Sequence, residues 1–218
     1  MKIIVSLTSW IQRISTVYKT IDSILNQSLK PDLIELNLSL IEFPNKEQDL
    51  PEVLCDYENS KKIEINWVSG NTRTFKKIIP TLQKFYGEEY LLLSVDDDVI
   101  YGSDYVKTMV ENIEENDSDT FCASSARVIG NRTIFKSTAF EPDFWKMLTD
   151  DVIQYGIDDS YTSYYLRYKK RNCASKKLDS VNEMIKVHDE QCPLHNEYRQ
   201  GNRVQLAEEA IRKVFNLS

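Results

Sequence analysis

The amino-acid sequence predicts an α/β protein in which a mainly parallel sheet is flanked by helices. Short apolar segments alternate with helix-like segments over the first hundred residues, the order expected when helices connect parallel strands. Polar side chains follow directly after several of the apolar segments. With 218 residues, 41% of them hydrophobic and 28% charged, the chain has the composition of a globular protein with a substantial core.

The first half of the chain is predicted to contain four strands and two helices. Apolar side chains at helical spacing predict a helix over Thr16–Leu29, which Pro31 ends. A second helix is predicted over Phe75–Phe85, although Pro80 lies inside it. Short apolar runs predict the strands, at Lys2–Leu7, Leu33–Leu38, Ile63–Val68 and Glu89–Val95.

The second half is less regular. Helical patterns cover Asp104–Glu115 and Ser160–Lys170, and Val204–Phe215 is a final amphipathic helix. The segments Thr120–Ile129 and Thr133–Ser137 predict a hairpin around Gly130-Asn131. We expect a single domain over residues 1–218.

Charge and composition exclude several classes of protein. A net charge of −7 argues against nucleic acid as the main partner, which would favour a basic face. The apolar start Met1–Leu7 is too short for a signal peptide, and no segment has the roughly 18 apolar residues of a membrane span. Four scattered cysteines without a C-x-x-C pair indicate reduced thiols, so a cytoplasmic location is expected.

Polar clusters follow each of the four predicted parallel strands. Because ligands in such sheets bind beyond the carboxyl ends of the strands, these clusters are expected to converge on one edge. They are Thr8-Ser9, Ser39, Ser69-Gly70-Asn71 and Asp96-Asp97-Asp98.

Three consecutive aspartates follow the strand Glu89–Val95 without a break. One interpretation is a solvated turn in which one aspartate caps the next helix. The other is a site for Mg²⁺ or Mn²⁺, since these ions prefer oxygen ligands and are commonly held by one or two carboxylates plus phosphates. Side chains alternate along a strand, so Asp96 and Asp98 are expected to face one ligand.

Two further charged clusters are candidates for chemistry. Arg73, Lys76 and Lys77 follow the third strand, either as a solvated helix face or as a site for a diphosphate, which guanidinium groups bind bidentately. Asp158-Asp159 precedes a helix, either as its cap or as a general base towards an acceptor hydroxyl. Asp158 is the first choice for the base and Asp159 the second, although little in the sequence separates them. The tyrosines that follow them are expected in the core.

The segment "SVDDDVIYGSDYV" resembles the Asp-x-Asp segment of nucleotide-sugar glycosyltransferases with the GT-A fold, a Rossmann-like α/β fold. The opening "IIVSLTSWIQRISTVYKTIDSILNQS" is similar to the start of bacterial family 2 enzymes, and the triple Asp resembles the exostosin-like transferases. The resemblance covers roughly residues 1–170. It implies a nucleotide-binding half at 1–101, an acceptor and catalytic half at 102–170, and a small helical C-terminal tail at 171–218.

The same resemblance implies roles at matching positions of the donor site. Asp98 would bind a Mn²⁺ or Mg²⁺ ion that bridges the diphosphate, and Asp96 would face the ribose or the metal. Asp97 would contact the nucleotide or donor sugar, Thr8 the nucleoside, and Arg73 or Lys77 the nucleotide.

The remaining implied roles concern the base, the third metal ligand and the reaction. Family 2 enzymes carry an Asp after the second strand that helps to hold the base, whereas this chain offers only Ser39 and Glu42 there. His195 would be a third metal ligand, unless it is an ordinary surface histidine. Asp158 or Asp159 would be catalytic.

The expected activity is sugar transfer from a nucleotide diphosphate donor, UDP-linked, to a glycan or lipid-linked acceptor in surface polysaccharide synthesis. A lipid-linked acceptor would bring the protein to the inner face of the membrane, where the basic segment Arg167–Arg171 would assist, unless it is only a solvated helix end.

Other functions were weighed. A phosphohydrolase of the haloacid dehalogenase type also uses Asp-x-Asp, but near the N-terminus and followed by a small residue, whereas Val99 follows here. A nucleotidyltransferase would need a glycine-rich loop after the first strand, and "SLTSWIQR" has no glycine. The main alternative is a carbohydrate- or calcium-binding module, or a transferase homologue that has lost activity.

Overall fold

The computed structural model describes residues 1–124, 132–155, 158–178, 185–186 and 202–216. Within these residues, seven strands form one sheet in the order β3-β2-β1-β4-β7-β6-β8, and β5 and β9 form a separate antiparallel pair. The strands are β1 (Lys2–Thr8), β2 (Leu33–Ser39), β3 (Glu64–Val68), β4 (Tyr90–Ser94), β5 (Val99–Ile100), β6 (Thr120–Cys122), β7 (Thr133–Lys136), β8 (Cys173–Ser175) and β9 (Ile185–Lys186).

The sheet is mainly parallel, as predicted. β1 lies at its centre and pairs in parallel with β2 and β4, and β2 pairs in parallel with β3. β7 is antiparallel to both β4 and β6, so the two strands of the predicted hairpin pair as expected. β6 ends at Cys122 rather than Ile129, and the predicted turn Gly130-Asn131 lies outside the described residues.

The described helices are α1 (Val17–Leu25), α2 (Glu52–Asn59), α3 (Ile79–Lys84), α4 (Tyr105–Glu115), α5 (Asp143–Lys146), α6 (Asp150–Tyr155), α7 (Asp158–Tyr168) and α8 (Arg203–Val214), with 3-10 turns at Lys46–Asp49, Arg73–Lys77 and Ser137–Ala139. The single helix predicted over Phe75–Phe85 is therefore wrong. It is a 3-10 turn followed by α3, and Pro80 lies in the first turn of α3, where its missing N–H leaves no helical hydrogen bond unmade.

Both faces of the sheet are covered. Along β1, Ile3, Val5 and Leu7 point to one face and pack with apolar residues of α1, α2 and α4. Ile4 points to the other face and packs with residues of α3, α7 and α8. The sheet thus has the two-sided burial that its continuous apolar strands predict.

The C-terminal helix α8 completes the second of these cores. Ile211 and Phe215 are buried, and the Phe215 ring lies 5.4 Å from the ring centroids of both Tyr161 and Tyr168. Tyr161 and Tyr165 of α7 are fully buried, which confirms the predicted core position for these two. Tyr168 is 54% exposed, so the prediction is wrong for that tyrosine.

Three smaller expectations concern the cysteines, the basic segment Arg167–Arg171 and membrane spans. Among the described residues, Cys55, Cys122 and Cys173 form no disulfide, whereas Cys192 lies outside the described residues. In the basic segment Arg167–Arg171, Lys169 pairs with Glu141 and Asp143, and Arg171 pairs with Glu141. None of the helices in the described part of the chain has the length and apolar character needed to cross a membrane.

Candidate active site

The three aspartates lie in a turn at the carboxyl end of the parallel strands. β4 ends at Ser94, and Asp96, Asp97 and Asp98 connect it to β5. The N–H of Asp96 donates to the hydroxyl oxygen of Tyr101 at 2.9 Å, which fixes the turn from its other side. These three residues form a turn and not a strand, so their side chains do not alternate in direction as they would in a strand. The expectation that alternation places Asp96 and Asp98 on one side is therefore wrong.

Arg13, in the loop after β1, neutralises two of the aspartates. Its Nη1 lies 2.8 Å from Oδ1 of Asp97 and 3.2 Å from Oδ2 of Asp98, while the Ser9 hydroxyl donates to Oδ2 of Asp97 at 2.7 Å. Burial raises the pKa of Asp97 above its usual value, and Arg13 and Ser9 oppose that rise. Asp97 is 9% exposed, so the solvated-turn interpretation is wrong for this aspartate, whereas the Asp96 side chain is 31% exposed.

Lys77 connects this turn to the start of α7. Its Nζ lies 2.9 Å from Oδ1 of Asp96 and 3.0 Å from Oδ2 of Asp158. Burial acts to lower the pKa of Lys77, but the carboxylates of Asp158, Asp96 and Asp159 raise it well above its ordinary value. Lys77 is therefore charged. It lies beside carboxylates and not on a solvated helix face, which was one of the two interpretations of the sequence.

The predicted acidic pair faces the aspartate turn. Asp158 and Asp159 are the first residues of α7, and Asp158 is 3% exposed because it packs against Lys77. Asp159 lies close enough to contribute to the charge stabilisation of Lys77. Two regions about sixty residues apart in sequence therefore meet at one site.

The other basic residues of the loop after β3 have different contacts. Lys76 is buried, and its Nζ lies 2.7 Å from Oε2 of Glu42 and 2.6 Å from Oδ1 of Asn71. Arg73 has a positive φ of 54°, and its Nη1 donates to the backbone oxygen of Gln154 at 3.1 Å. The loop thus ties Glu42, the alternative base-holding residue, to the end of β3.

The remaining predicted residues lie at the same edge of the sheet. The Thr8 hydroxyl donates to the backbone oxygen of Asn37 at 2.7 Å. Ser39 is fully buried, and its hydroxyl oxygen accepts the N–H of Ile41 at 3.1 Å, so Ser39 supports the loop after β2. His195 lies outside the described residues.

The donor groups fit a metal that is shared with a ligand. In the described part of the chain, no group of three or more His, Cys, Asp or Glu side chains could hold a metal ion by itself. Asp96 and Asp98 supply two carboxylates, the number with which proteins hold Mg²⁺ or Mn²⁺ when substrate phosphates complete the coordination. These residues therefore fit a metal–diphosphate complex and not an all-protein metal cage.

Comparison with known proteins found similarity of fold. No family model and no curated protein sequence matches the chain. Among 209 similar solved chains is the mannosyltransferase PcManGT from Pyrobaculum calidifontis in complex with GDP-Man and Mn²⁺, with a TM-score of 0.64 and 16% identity over 97% of this chain and 64% of that one.

S. aureus TarS 1–349 is also similar, with a TM-score of 0.55 and 12% identity over 81% of this chain. A complex of TarS 1–349 with UDP-GlcNAc gives a TM-score of 0.54 and 13% identity. The chain spans 58% of TarS 1–349 and 35% of the longer TarS structure. At these identities the likeness concerns the fold alone, which is the α/β fold of solved glycosyltransferases.

Proposed function

We propose that this protein is a metal-dependent glycosyltransferase. It would move a sugar from a nucleoside-diphosphate donor, UDP-linked, to a hydroxyl of a glycan or lipid-linked acceptor in surface polysaccharide synthesis. The observation that carries the proposal is the meeting of the Asp96–Asp98 turn with Asp158 through Lys77, at the ligand-binding edge of a sheet shared with solved glycosyltransferases.

On the donor side, Asp98 and Asp96 would hold a Mn²⁺ or Mg²⁺ ion together with the diphosphate. When bound, the ion neutralises charge that develops on the leaving diphosphate. Asp97, engaged by Ser9 and Arg13, would hold the loop after β1 against the turn, and Thr8 at the end of β1 would face the nucleoside. Arg73 lies at the same edge and would approach the diphosphate.

The charge at the site explains why a cation would accompany the donor. Five carboxylates, at positions 96, 97, 98, 158 and 159, surround the ion pairs made by Arg13 and Lys77. A free diphosphate entering this acidic region would be repelled, and a divalent ion would offset the repulsion.

On the acceptor side, Asp158 or Asp159 would remove the proton of the attacking hydroxyl. Both candidates lie in the first turn of α7, where Oδ2 of Asp158 lies 3.0 Å from Nζ of Lys77. One base acting on one hydroxyl is the arrangement for inversion of the sugar's configuration.

A second candidate function is a carbohydrate-binding or inactive homologue. The observation that favours it is that Arg13 and Lys77 already neutralise Asp96, Asp97 and Asp98. A protein that had lost metal binding would show the same ion pairs.

A thermal-shift experiment separates the two. The protein is heated with UDP, GDP, ADP or CMP, each with and without Mn²⁺, alongside Asp98→Ala and the control Asp56→Ala on the exposed side of α2. A transferase is expected to be stabilised by one diphosphate only with Mn²⁺, by about 2.7 kcal/mol at a hundredfold excess over the dissociation constant. The shift should vanish in Asp98→Ala and persist in Asp56→Ala. No shift with any nucleotide would favour the inactive or glycan-binding homologue.

A further inference from the structure

Lys77 is an unusual residue for an acidic active-site edge because it is buried yet charged. It is the last residue of the 3-10 turn Arg73–Lys77, and its side chain is 8% exposed. Its ammonium group contacts one carboxylate from the turn after β4 and one from the start of α7. Burying an ammonium ion is unfavourable unless carboxylates compensate it, so these contacts hold both aspartates in place.

The neighbouring lysine provides a natural comparison. Lys76 belongs to the same turn and is equally buried, with a side chain that is 3% exposed, but it pairs with Glu42 and Asn71. The two lysines contact different carboxylates. Burial lowers the pKa of Lys76, whereas the pKa of Lys77 is raised against the effect of burial by its aspartates. A substitution of Lys77 and the same substitution of Lys76 are therefore distinguished by any effect that arises at the aspartate turn.

We propose that Lys77 is a positioning residue that serves as the resident cation of this site: it holds Asp158 against Asp96 and makes the binding of Mn²⁺ depend on a nucleoside diphosphate. The inference rests on the proposed function, because the metal and the diphosphate are those of the proposed reaction. It assigns Lys77 a role towards the carboxylates, in place of direct contact with the nucleotide.

The physical reason is repulsion between cations. A divalent ion that approaches Asp96 meets the ammonium group 2.9 Å from that carboxylate, and one that approaches Asp98 meets the Arg13 guanidinium at 3.2 Å. Charges of one sign a few ångströms apart repel even when solvent weakens the interaction. The Asp96 side chain is 31% exposed, so a diphosphate can reach its open side and offset the repulsion. Metal and nucleotide would then bind together.

The test measures Mn²⁺ binding directly, by electron paramagnetic resonance of the free ion, without any nucleotide. The wild type is expected to bind Mn²⁺ weakly, and Lys77→Met to bind it about tenfold more tightly because one repelling charge is gone. Lys76→Met, the matched control, and Lys77→Arg, which keeps the charge, are expected to behave like the wild type. Equal Mn²⁺ affinity of Lys77→Met and the wild type would overturn the proposal.

Loss of Lys77 leaves two carboxylates without their shared cation, so the change is also made in an Asp158→Asn background. Lys77→Met is expected to tighten Mn²⁺ binding there too, relative to Asp158→Asn alone. Titrations with UDP and GDP are run separately. If neither nucleotide binds while Lys77→Met still tightens Mn²⁺ binding, the proposed transferase function fails, and of the proposed role of Lys77 only its repulsion of Mn²⁺ stands. If a nucleotide binds the wild type with Mn²⁺ but Lys77→Met has no effect on Mn²⁺ affinity, the proposed role of Lys77 fails and the proposed transferase function stands.

Discussion

At the scale of single residues, the aspartate turn shows how a folded chain compensates adjacent carboxylates with basic side chains from other parts of the sequence. Asp97 and Asp98 share the guanidinium of Arg13, and Asp96 shares the ammonium of Lys77 with Asp158. Each basic group serves two acids, so two cations stabilise four carboxylates. Arg13 did not stand out in the sequence, where it is one charge in a polar loop. The one informative signal was that Arg13 lies in the loop after β1, and β1 neighbours β4 in the sheet.

The pairing of Arg13 with a nearly buried carboxylate gives a testable consequence. Arg13→Gln leaves Asp97 without its cation, and breaking one side of such a pair is expected to lower the free energy of unfolding by about 2–4 kcal/mol. Urea denaturation measures the change. Arg167→Gln, on the exposed side of α7, is the control and should change stability by no more than about 0.5 kcal/mol. Similar losses in both variants would mean that Arg13 does not stabilise Asp97.

At the scale of elements, the four parallel strands β1 to β4 follow the predicted bounds closely, whereas β6 and the helices between the strands do not. α2 was not predicted, because its eight residues include only one fully buried side chain, Leu54, and so carry little apolar pattern. Short helices of this kind form because neighbours hold them. The α1–α2 contact is an example, since the Tyr57 hydroxyl of α2 donates to Oδ1 of Asp22 in α1 at 2.5 Å.

That contact predicts a pH dependence. The hydrogen bond to Asp22, together with burial, raises the pKa of Tyr57 to about 12, against about 10 in an unfolded chain. A raised folded-state pKa gives stability that is present below about pH 10 and is lost as the pH rises towards about 12. Tyr57→Phe should therefore lower the free energy of unfolding by about 1 kcal/mol at about pH 9, since the pair is partly exposed to solvent.

The difference between wild type and Tyr57→Phe should fall to about half at about pH 11, measured by urea denaturation at each pH. Comparing the two proteins removes the contributions of the other tyrosines. A difference that stays constant between the two pH values would show that Asp22 does not raise the pKa of Tyr57 in the folded state.

At the scale of the whole molecule, residues far apart in sequence complete both the core and the site. The face of the sheet that contains Ile4 is closed by α7 and α8, with Phe215 placed among Tyr161, Tyr164, Tyr165 and Tyr168. The same helix α7 begins with Asp158 and Asp159. The C-terminal segment therefore stabilises the helix that presents the acidic pair.

This arrangement predicts that α8 is required for the stability of the whole fold. Phe215 is 4% exposed, and Phe215→Ala is expected to lower the free energy of unfolding by about 3–5 kcal/mol through lost burial and an unfilled cavity. Val204, on the same helix, is 56% exposed, and Val204→Ala should have an effect within about 0.5 kcal/mol. Chemical denaturation of both variants measures the contrast. Equally small changes in the free energy of unfolding of the two variants would show that α8 does not stabilise the rest of the fold.

The site was partly predictable for the same reasons as the fold. Strand ends are local features, so the sequence placed Thr8, Ser39 and the Asp96–Asp98 turn at one edge of the sheet. Pairing between charges depends on which loops meet, so the sequence could not show that Lys77 lies between Asp96 and Asp158. The sequence also could not show that the Ser39 hydroxyl oxygen accepts the N–H of Ile41 in the loop after β2.

The sequence by itself determined the α/β class, the parallel strands β1 to β4 and the acidic edge, because apolar runs and the residues that end them are written locally along the chain. The tertiary structure alone decided which cation compensates which carboxylate. The physical reason is that the charge state and burial of a side chain depend on neighbours brought from elsewhere in the sequence, here Arg13 from the loop after β1 and Lys77 from the turn before α3.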